Sequence, residues 1–79
     1  MNKQDLVAIG TVVKLLEAGM IYHFGMVADY ENSKWGWVHI VLTQGKFEKV
    51  HNIEDENRKS LGWKVASAEE LAFRAKYGD

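Results

Sequence analysis

The chain has 79 residues, of which 47% are hydrophobic and 27% charged, a globular composition that predicts one domain folded over most of its length. Its formal net charge of -1 lacks the basic bias typical of nucleic-acid-binding proteins, and the absence of cysteine excludes disulfides and thiol nucleophiles. The first ten residues carry no export signal, and no stretch has the length of a membrane span. We therefore expect a cytoplasmic protein with no membrane partner.

The first segment is compatible with two structures. Apolar residues recur at helical spacing after a possible helix cap at Asp5, and these are Leu6, Ile9, Val13 and Leu16. Gly10 and the β-branched residues 11–13 oppose a helix, since both lower helix propensity. We favour a strand over residues 9–16, preceded by a short turn over residues 1–7.

Alternation predicts the next two strands. From Met20 to Asp29 the larger apolar residues share one parity, which indicates a half-buried strand, and Gly25 predicts a bulge or bend within it. The sequence DYENSK, residues 29–34, is then predicted to be a polar turn, and residues 35–42 the following strand. In that strand Val38, Ile40 and Leu42 share one face, which we expect to be the core face.

The second half of the chain predicts two shorter strands. Residues 43–45 form a tight hairpin connection to a strand that starts at Lys46 and has a bulge or an early end. The charged residues 54–60 predict a solvated loop. Residues 61–66 then supply a fifth strand, with Leu61, Trp63 and Val65 on one side.

The last segment predicts a helix from Ala68 to about Lys76, ended by Gly78. Ser67 and Glu70 have the spacing of a capping box, in which each side chain binds the other residue's backbone amide. Ala66 and Leu71 occupy the positions of a hydrophobic staple. An apolar stripe follows, consisting of Ala68, Leu71, Ala72 and Ala75.

The order of these elements resembles a known family of small barrels. The segments IGTVVKLL, FGMVADY, WVHIVL and GWKVASAEEL resemble SH3-like barrels of the KOW and Tudor type, and are similar to short SH3-like proteins of bacteriophages. The resemblance covers residues 9–71. It implies a mostly β fold, a single SH3-like barrel of about five antiparallel strands with a short C-terminal helix. A phage origin would imply a host or viral protein as the partner, in the host cytoplasm.

The aromatic residues near the centre of the chain are the candidate interaction site. We expect Trp37 to be buried against Trp63 or the helix face carrying Leu71, and Trp35 to stay in water at the turn. An exposed tryptophan beside a strand is typical of a protein interface. The predicted partner-binding residues are Trp35, Trp37, His39, Tyr30 and Phe47.

The sequence gives little support for a metal site, a cofactor site or a catalytic site. The three histidines, His23, His39 and His51, fall on successive predicted strands but lack metal-site spacing, so we predict no metal and no cofactor. No nucleophile motif or phosphate loop occurs, so we predict no enzymatic activity. The sequence favours a protein-interaction adaptor, with a homodimer as an open alternative for its assembly. The alternative function is a KOW-type nucleic-acid-binding domain, for which the candidate residues are Lys34, Lys46, Lys49 and Lys64.

Overall fold

A computed structural model describes residues 3–77, and for Tyr77 the backbone alone. A short 3-10 turn, Lys3–Asp5, precedes the regular elements, so the predicted lead-in turn is present. These elements are β1 (Val12–Glu17), β2 (Met20–Ser33), β3 (Gly36–Thr43), β4 (Lys46–Val50), β5 (Gly62–Val65) and α1 (Ala68–Tyr77). The strands form one antiparallel sheet in the order β4-β3-β2-β1-β5. The prediction of a mostly β protein with five strands and a C-terminal helix is confirmed.

Two of the hairpins are closed by two-residue turns in the left-handed region. Ala18 and Gly19 join β1 to β2 with φ values of 51° and 78°, and Gln44 and Gly45 join β3 to β4 with 51° and 75°. Positive φ at both central residues matches the twist of the flanking strands, which favours a tight hairpin. The predicted hairpin at residues 43–45 is therefore confirmed, and β1 confirms a strand in the first segment.

The predicted polar turn at residues 29–34 is wrong in most of its length. β2 continues to Ser33, and the turn consists of Lys34 and Trp35 alone. The prediction failed because polar side chains do not prevent strand pairing, which uses backbone groups. The pairing of β2 with β3 continues as far as Ser33 opposite Gly36. The Ser33 hydroxyl donates to the Gly36 carbonyl at 2.6 Å and accepts from the Trp35 amide at 3.2 Å.

Gly25 does not form the predicted bulge. It is paired regularly with Val13, and the register of β2 shifts instead between Val27 and Asp29, and opposite the Leu15 to Leu16 step of β1. These shifts bend the long strand, so that its two halves pair with different neighbours.

The central core cluster lies on the opposite side of β3 from the one that we predicted. The cluster consists of Val13, Val27, Val41 and Val50. Val41 shares its face with Trp37 and His39, and therefore the aliphatic face of Val38, Ile40 and Leu42 is not the one that carries this cluster. Val38 is nevertheless buried on its own face, so β3 is covered on both sides at that point.

The chain after β4 crosses to the other end of the sheet. β4 ends at Val50, which confirms its early end, and residues 55–60 form turns and bends that confirm the charged loop. Between them Glu54 forms a parallel bridge with Lys64 of β5. The Glu54 amide donates to the Trp63 carbonyl at 3.0 Å, and the Val65 amide donates to the Glu54 carbonyl at 2.9 Å.

The capping box at the start of α1 is confirmed. The Ser67 amide donates to Glu70 Oε1 at 2.9 Å, and the Glu70 amide donates to Ser67 Oγ at 3.2 Å. The helix then presents its apolar stripe to solvent, with Leu71 40% exposed. Gly78, the predicted end of the helix, lies outside the described residues. Within residues 3–77 no helix is long and apolar enough to cross a membrane.

We expect Ser67→Ala to lower the free energy of unfolding by about 1 kcal/mol, because the Glu70 amide loses its acceptor. Urea denaturation measures the change. Ser67→Thr, which keeps a hydroxyl, is the matched control and should stay close to the unchanged protein. An equal loss in both variants would show that the hydroxyl does not stabilise the helix.

Candidate functional site

Trp35 lies at the tip of the β2–β3 hairpin. Its side chain is 74% exposed, which confirms the expectation that it stays in water. Lys34, the other turn residue, places its Nζ 5.2 Å from the centre of the Trp35 ring. The hydrogen bonds of Ser33 fix the turn on which both residues stand. We call residues 33–36 the hairpin tip.

Trp37 has a different environment from Trp35. It is half-buried at the start of β3, and Lys3 places its Nζ 5.4 Å from the centre of the ring. Trp63, the predicted neighbour, contacts the ring of His23 at 5.5 Å between centroids. The predicted difference in exposure between the two tryptophans is confirmed, although Trp37 is less buried than expected.

His39 and Tyr30 are cross-strand partners that together hold the backbone of Val7. His39 is fully buried, its Nε2 accepts from the Val7 amide at 2.9 Å, and its Nδ1 lies 3.1 Å from the Val50 carbonyl. The two bonds assign the proton to Nδ1. The Tyr30 hydroxyl donates to the Val7 carbonyl at 2.6 Å. The His39 side chain is therefore not part of an exposed face, because both ring nitrogens are used inside the protein.

Phe47 lies on a separate surface from the hairpin tip. It is 67% exposed on β4 and stands opposite Leu42, near the far end of β3. The distance along β3 from Gly36 to Leu42 corresponds to roughly 20 Å of extended chain. The structure therefore divides the predicted site into the hairpin tip, the internal contact with Val7, and the exposed strand Lys46–Lys49, which we call the β4 edge.

The four lysines of the alternative nucleic-acid site are also dispersed. Lys34 and Lys46 are exposed, whereas Lys49 forms an exposed ion pair with Glu31 at 2.8 Å. Lys64 is fully buried, so its ammonium is not a surface cation. Its Nζ lies 3.3 Å from a Glu54 oxygen and 3.3 Å from Ser60 Oγ.

Glu54 is held in its charged form by the same contacts. The hydrogen bond from Ser60 and the ammonium of Lys64 keep the pKa of Glu54 below its usual range. Glu54 and Ser60 thus compensate for the burial of the Lys64 ammonium. This role was not predicted, because the alternation around Lys64, between Trp63 and Val65, indicates a strand with its lysine in solvent.

A second buried cation joins the helix to the sheet. Lys14 of β1 contacts both carboxylate oxygens of Glu70, at 2.5 and 2.6 Å, and the two side chains are 9% and 18% exposed. Burial disfavours the charged carboxylate, but the hydrogen bonds from Lys14 and Ser67 prevail and keep the pKa of Glu70 below its usual range. Glu70 is therefore ionised at neutral pH.

The histidines do not converge. His23 is buried between the rings of Tyr22 and Trp63, at 4.7 and 5.5 Å between centroids, and neither of its ring nitrogens has a hydrogen-bond partner. His39 is committed to the contact with Val7, and His51 is exposed. In the part of the chain that the structure describes, no three residues of metal-binding type are grouped.

A concavity of the described structure lies away from all of the predicted site residues. It is an open groove of about 630 Å³ between the start of β2 and α1. Exposed apolar side chains line it, among them Met20, Tyr22 and Phe73. The groove was not predicted, because the alternation in β2 placed Met20 and Tyr22 on the buried face of a strand. The register shift near Leu16 leaves them exposed, with Met20 at 73% and Tyr22 at 63%.

The chain was compared with protein-family models, curated proteins and solved structures, and nothing in any of the three comparisons matches it.

Proposed function

We propose that the protein is a non-catalytic interaction module that docks a partner protein through the hairpin tip around Trp35 and through the β4 edge. The observation that carries the proposal is the exposure of Trp35, 74%, on a turn that Ser33 holds in place. Tryptophan is enriched at the energetic centres of interfaces, and its side chain has only two rotatable bonds to restrict on binding.

The fold that we assign to this module is a small SH3-like barrel. Two features support the assignment. The long strand β2 pairs with β1 through its first half and with β3 through its second half, which lets a sheet curl. The bridge between Glu54 and Lys64 brings the chain after β4 against β5, at the other end of the sheet.

One contact favours a second candidate, the binding of single-stranded nucleic acid. Lys34 and Trp35 place a cation and a stacking ring side by side at the hairpin tip, as single-strand-binding surfaces do. Against it, Lys14, Lys49 and Lys64 are each paired with a carboxylate. The positive field of a phosphate-binding groove therefore has few contributors, and we place this function second.

We expect Trp35→Ala to abolish capture of the partner without loss of stability. The matched control is Tyr22→Ala, which removes another exposed ring outside both proposed surfaces. Proteins captured from cell extract by the unchanged protein and by Tyr22→Ala should be lost with Trp35→Ala. The affinity of the purified partner should fall by about a hundredfold, the effect of removing a central aromatic residue.

Two results would contradict this proposal. If Trp35→Ala retains the stability and the captured proteins of the unchanged chain, the hairpin tip is not the docking site. If the unchanged protein binds single-stranded nucleic acid with a steep salt dependence that Trp35→Ala removes, the second candidate replaces the first.

A further inference from the structure

The outer side of β4 is an open strand edge in the described part of the chain. β4 is the last strand of the sheet, and its residues 46–49 are all exposed. Outside the strand ladders, no described backbone hydrogen bond involves residues 46–49. At the other end of the sheet, β5 already receives Glu54. The β4 edge is therefore the free edge to which another strand can be added.

Three consecutive residues of this edge can pair favourably with the same three residues of a second copy that runs in the opposite direction. Lys46 and Glu48 lie on one face with opposite charges, and among residues 3–77 neither has an ion-pair partner. Phe47 lies between them on the other face. An antiparallel pairing about a two-fold axis at Phe47 places Lys46 opposite Glu48 of the second copy, and does so twice. It also places the two Phe47 rings opposite each other.

The same charges oppose the other ways of pairing this edge with itself. A shift of two residues in one direction places Glu48 opposite Glu48, and in the other direction Lys46 opposite Lys46. Parallel pairing in register produces both repulsions. Charged residues on edge strands usually prevent association. Here their order selects a single antiparallel register, because like charges directly opposite are destabilising.

An apolar row on the sheet leads to the same point. Across the sheet, Phe47 is paired with Leu42, Leu42 with Met26, and Met26 with Val12. Phe47 and Met26 are 67% and 39% exposed, and the other two are half-buried. Pairing about Phe47 would continue this row from one copy into the next. The exposed ring at the end of the row would then be covered by the equivalent ring.

We propose that the β4 edge binds a second copy of this chain, as a two-fold antiparallel dimer centred on Phe47. This inference rests on the proposed function, since it names the partner of the β4 edge, and it leaves the hairpin tip free for a different protein. Pairing of one short strand buries less surface than a permanent dimer does, so the association is weak and depends on concentration. It relates the two copies by a closed symmetry and therefore stops at two.

Sedimentation equilibrium over a concentration series of the purified protein tests the proposal. The unchanged protein should show a monomer–dimer equilibrium. Lys46→Glu places a carboxylate opposite a carboxylate at both charged contacts, and Glu48→Lys places an ammonium opposite an ammonium. Each variant should therefore weaken self-association about tenfold or more. The double variant K46E/E48K restores opposite charges at both contacts and should recover the dimer. All substituted side chains are exposed, so the variants should remain folded.

Mixing the two single variants gives the sharpest result. At these two positions Lys46→Glu carries only carboxylates and Glu48→Lys only ammonium groups, so both contacts between the variants join opposite charges. The two should form a heterodimer more tightly than either variant forms a homodimer. The proposal is overturned if the unchanged protein is monomeric throughout, if the single variants dimerise like it, or if the mixture fails to associate. Trp35→Ala should leave the dimer intact, so a failure of the hairpin-tip proposal is distinguishable from a failure of this one.

Discussion

Glu70→Gln should lower the free energy of unfolding by about 3 kcal/mol, measured by urea denaturation at neutral pH. The amide keeps a hydrogen-bond acceptor for the Ser67 amide, so the capping box survives and the loss reports the charge. Lys14 would remain in the protein with its side chain 9% exposed and without its carboxylate. Removing one partner of a buried pair is costly because it leaves the other charge uncompensated.

Two controls separate this effect from a general loss of charge. Glu31→Gln breaks the exposed pair with Lys49, whose side chains are 45% and 67% exposed, and should cost less than about 0.5 kcal/mol. Adding Lys14→Met to Glu70→Gln removes the orphaned ammonium and should recover much of the loss. Equal effects of Glu70→Gln and Glu31→Gln would show that the Lys14 pair contributes no more than a surface pair.

The same pair has a defined dependence on pH. The pKa of Glu70 is lowered in the folded state, so the unfolded chain takes up this proton first as the solution is acidified. The stabilisation is therefore complete above the ordinary range of a glutamate, and it is lost as the pH falls below about 4 through the folded-state value. In Glu70→Gln this part of the acid sensitivity should be absent.

Gly25→Ala should lower the free energy of unfolding by about 3 kcal/mol, the upper range for overpacking in a core. A Cβ atom at this position would stand 2.7 Å from Val41 Cγ1, 3.1 Å from the Leu42 carbonyl oxygen and 3.2 Å from Thr43 Cβ. Neither strand can move away easily, because both carry residues of the core cluster. Thermal or urea denaturation measures the loss.

A double-mutant cycle identifies the cause of that loss. Val41→Ala removes the atom nearest to the new Cβ and creates its own cavity cost. In the Val41→Ala background, Gly25→Ala should cost clearly less than it does alone. Additive losses would show that the destabilisation arises from the contacts with the Leu42 carbonyl oxygen and Thr43 Cβ, and not from contact with Val41.

The parts of the fold that sequence predicted are those with local causes. The capping box and the tight turn at Gln44 and Gly45 each depend on a few neighbouring residues, and both are confirmed. The face of β3 that carries the core cluster was predicted wrongly. Both faces of β3 carry large apolar residues, so the choice between them depends on packing against other strands, which the local pattern does not show.

Within the candidate site, only the positions of exposed residues could be predicted from the sequence. Trp35 follows a polar stretch at the end of a strand, and its exposure could be derived from that position. The burial of His39 could not, because its two hydrogen bonds go to Val7 and Val50, which are distant along the chain. Lys64 is similar, since its carboxylate partner belongs to a loop that composition alone describes as solvated.

The hydrogen bonds of His39 and Tyr30 with the Val7 backbone limit the substitutions that residue 7 tolerates. Both side chains bind backbone atoms of residue 7, and they hold its amide and its carbonyl without reading its side chain. Packing against the core still requires an apolar side chain there, but Ile or Leu meets that requirement. Proline does not, since it has no amide hydrogen for His39. We therefore expect many apolar residues to be tolerated at position 7. A change at position 7 should depend on residues 30 and 39 only where one of the two hydrogen bonds is lost.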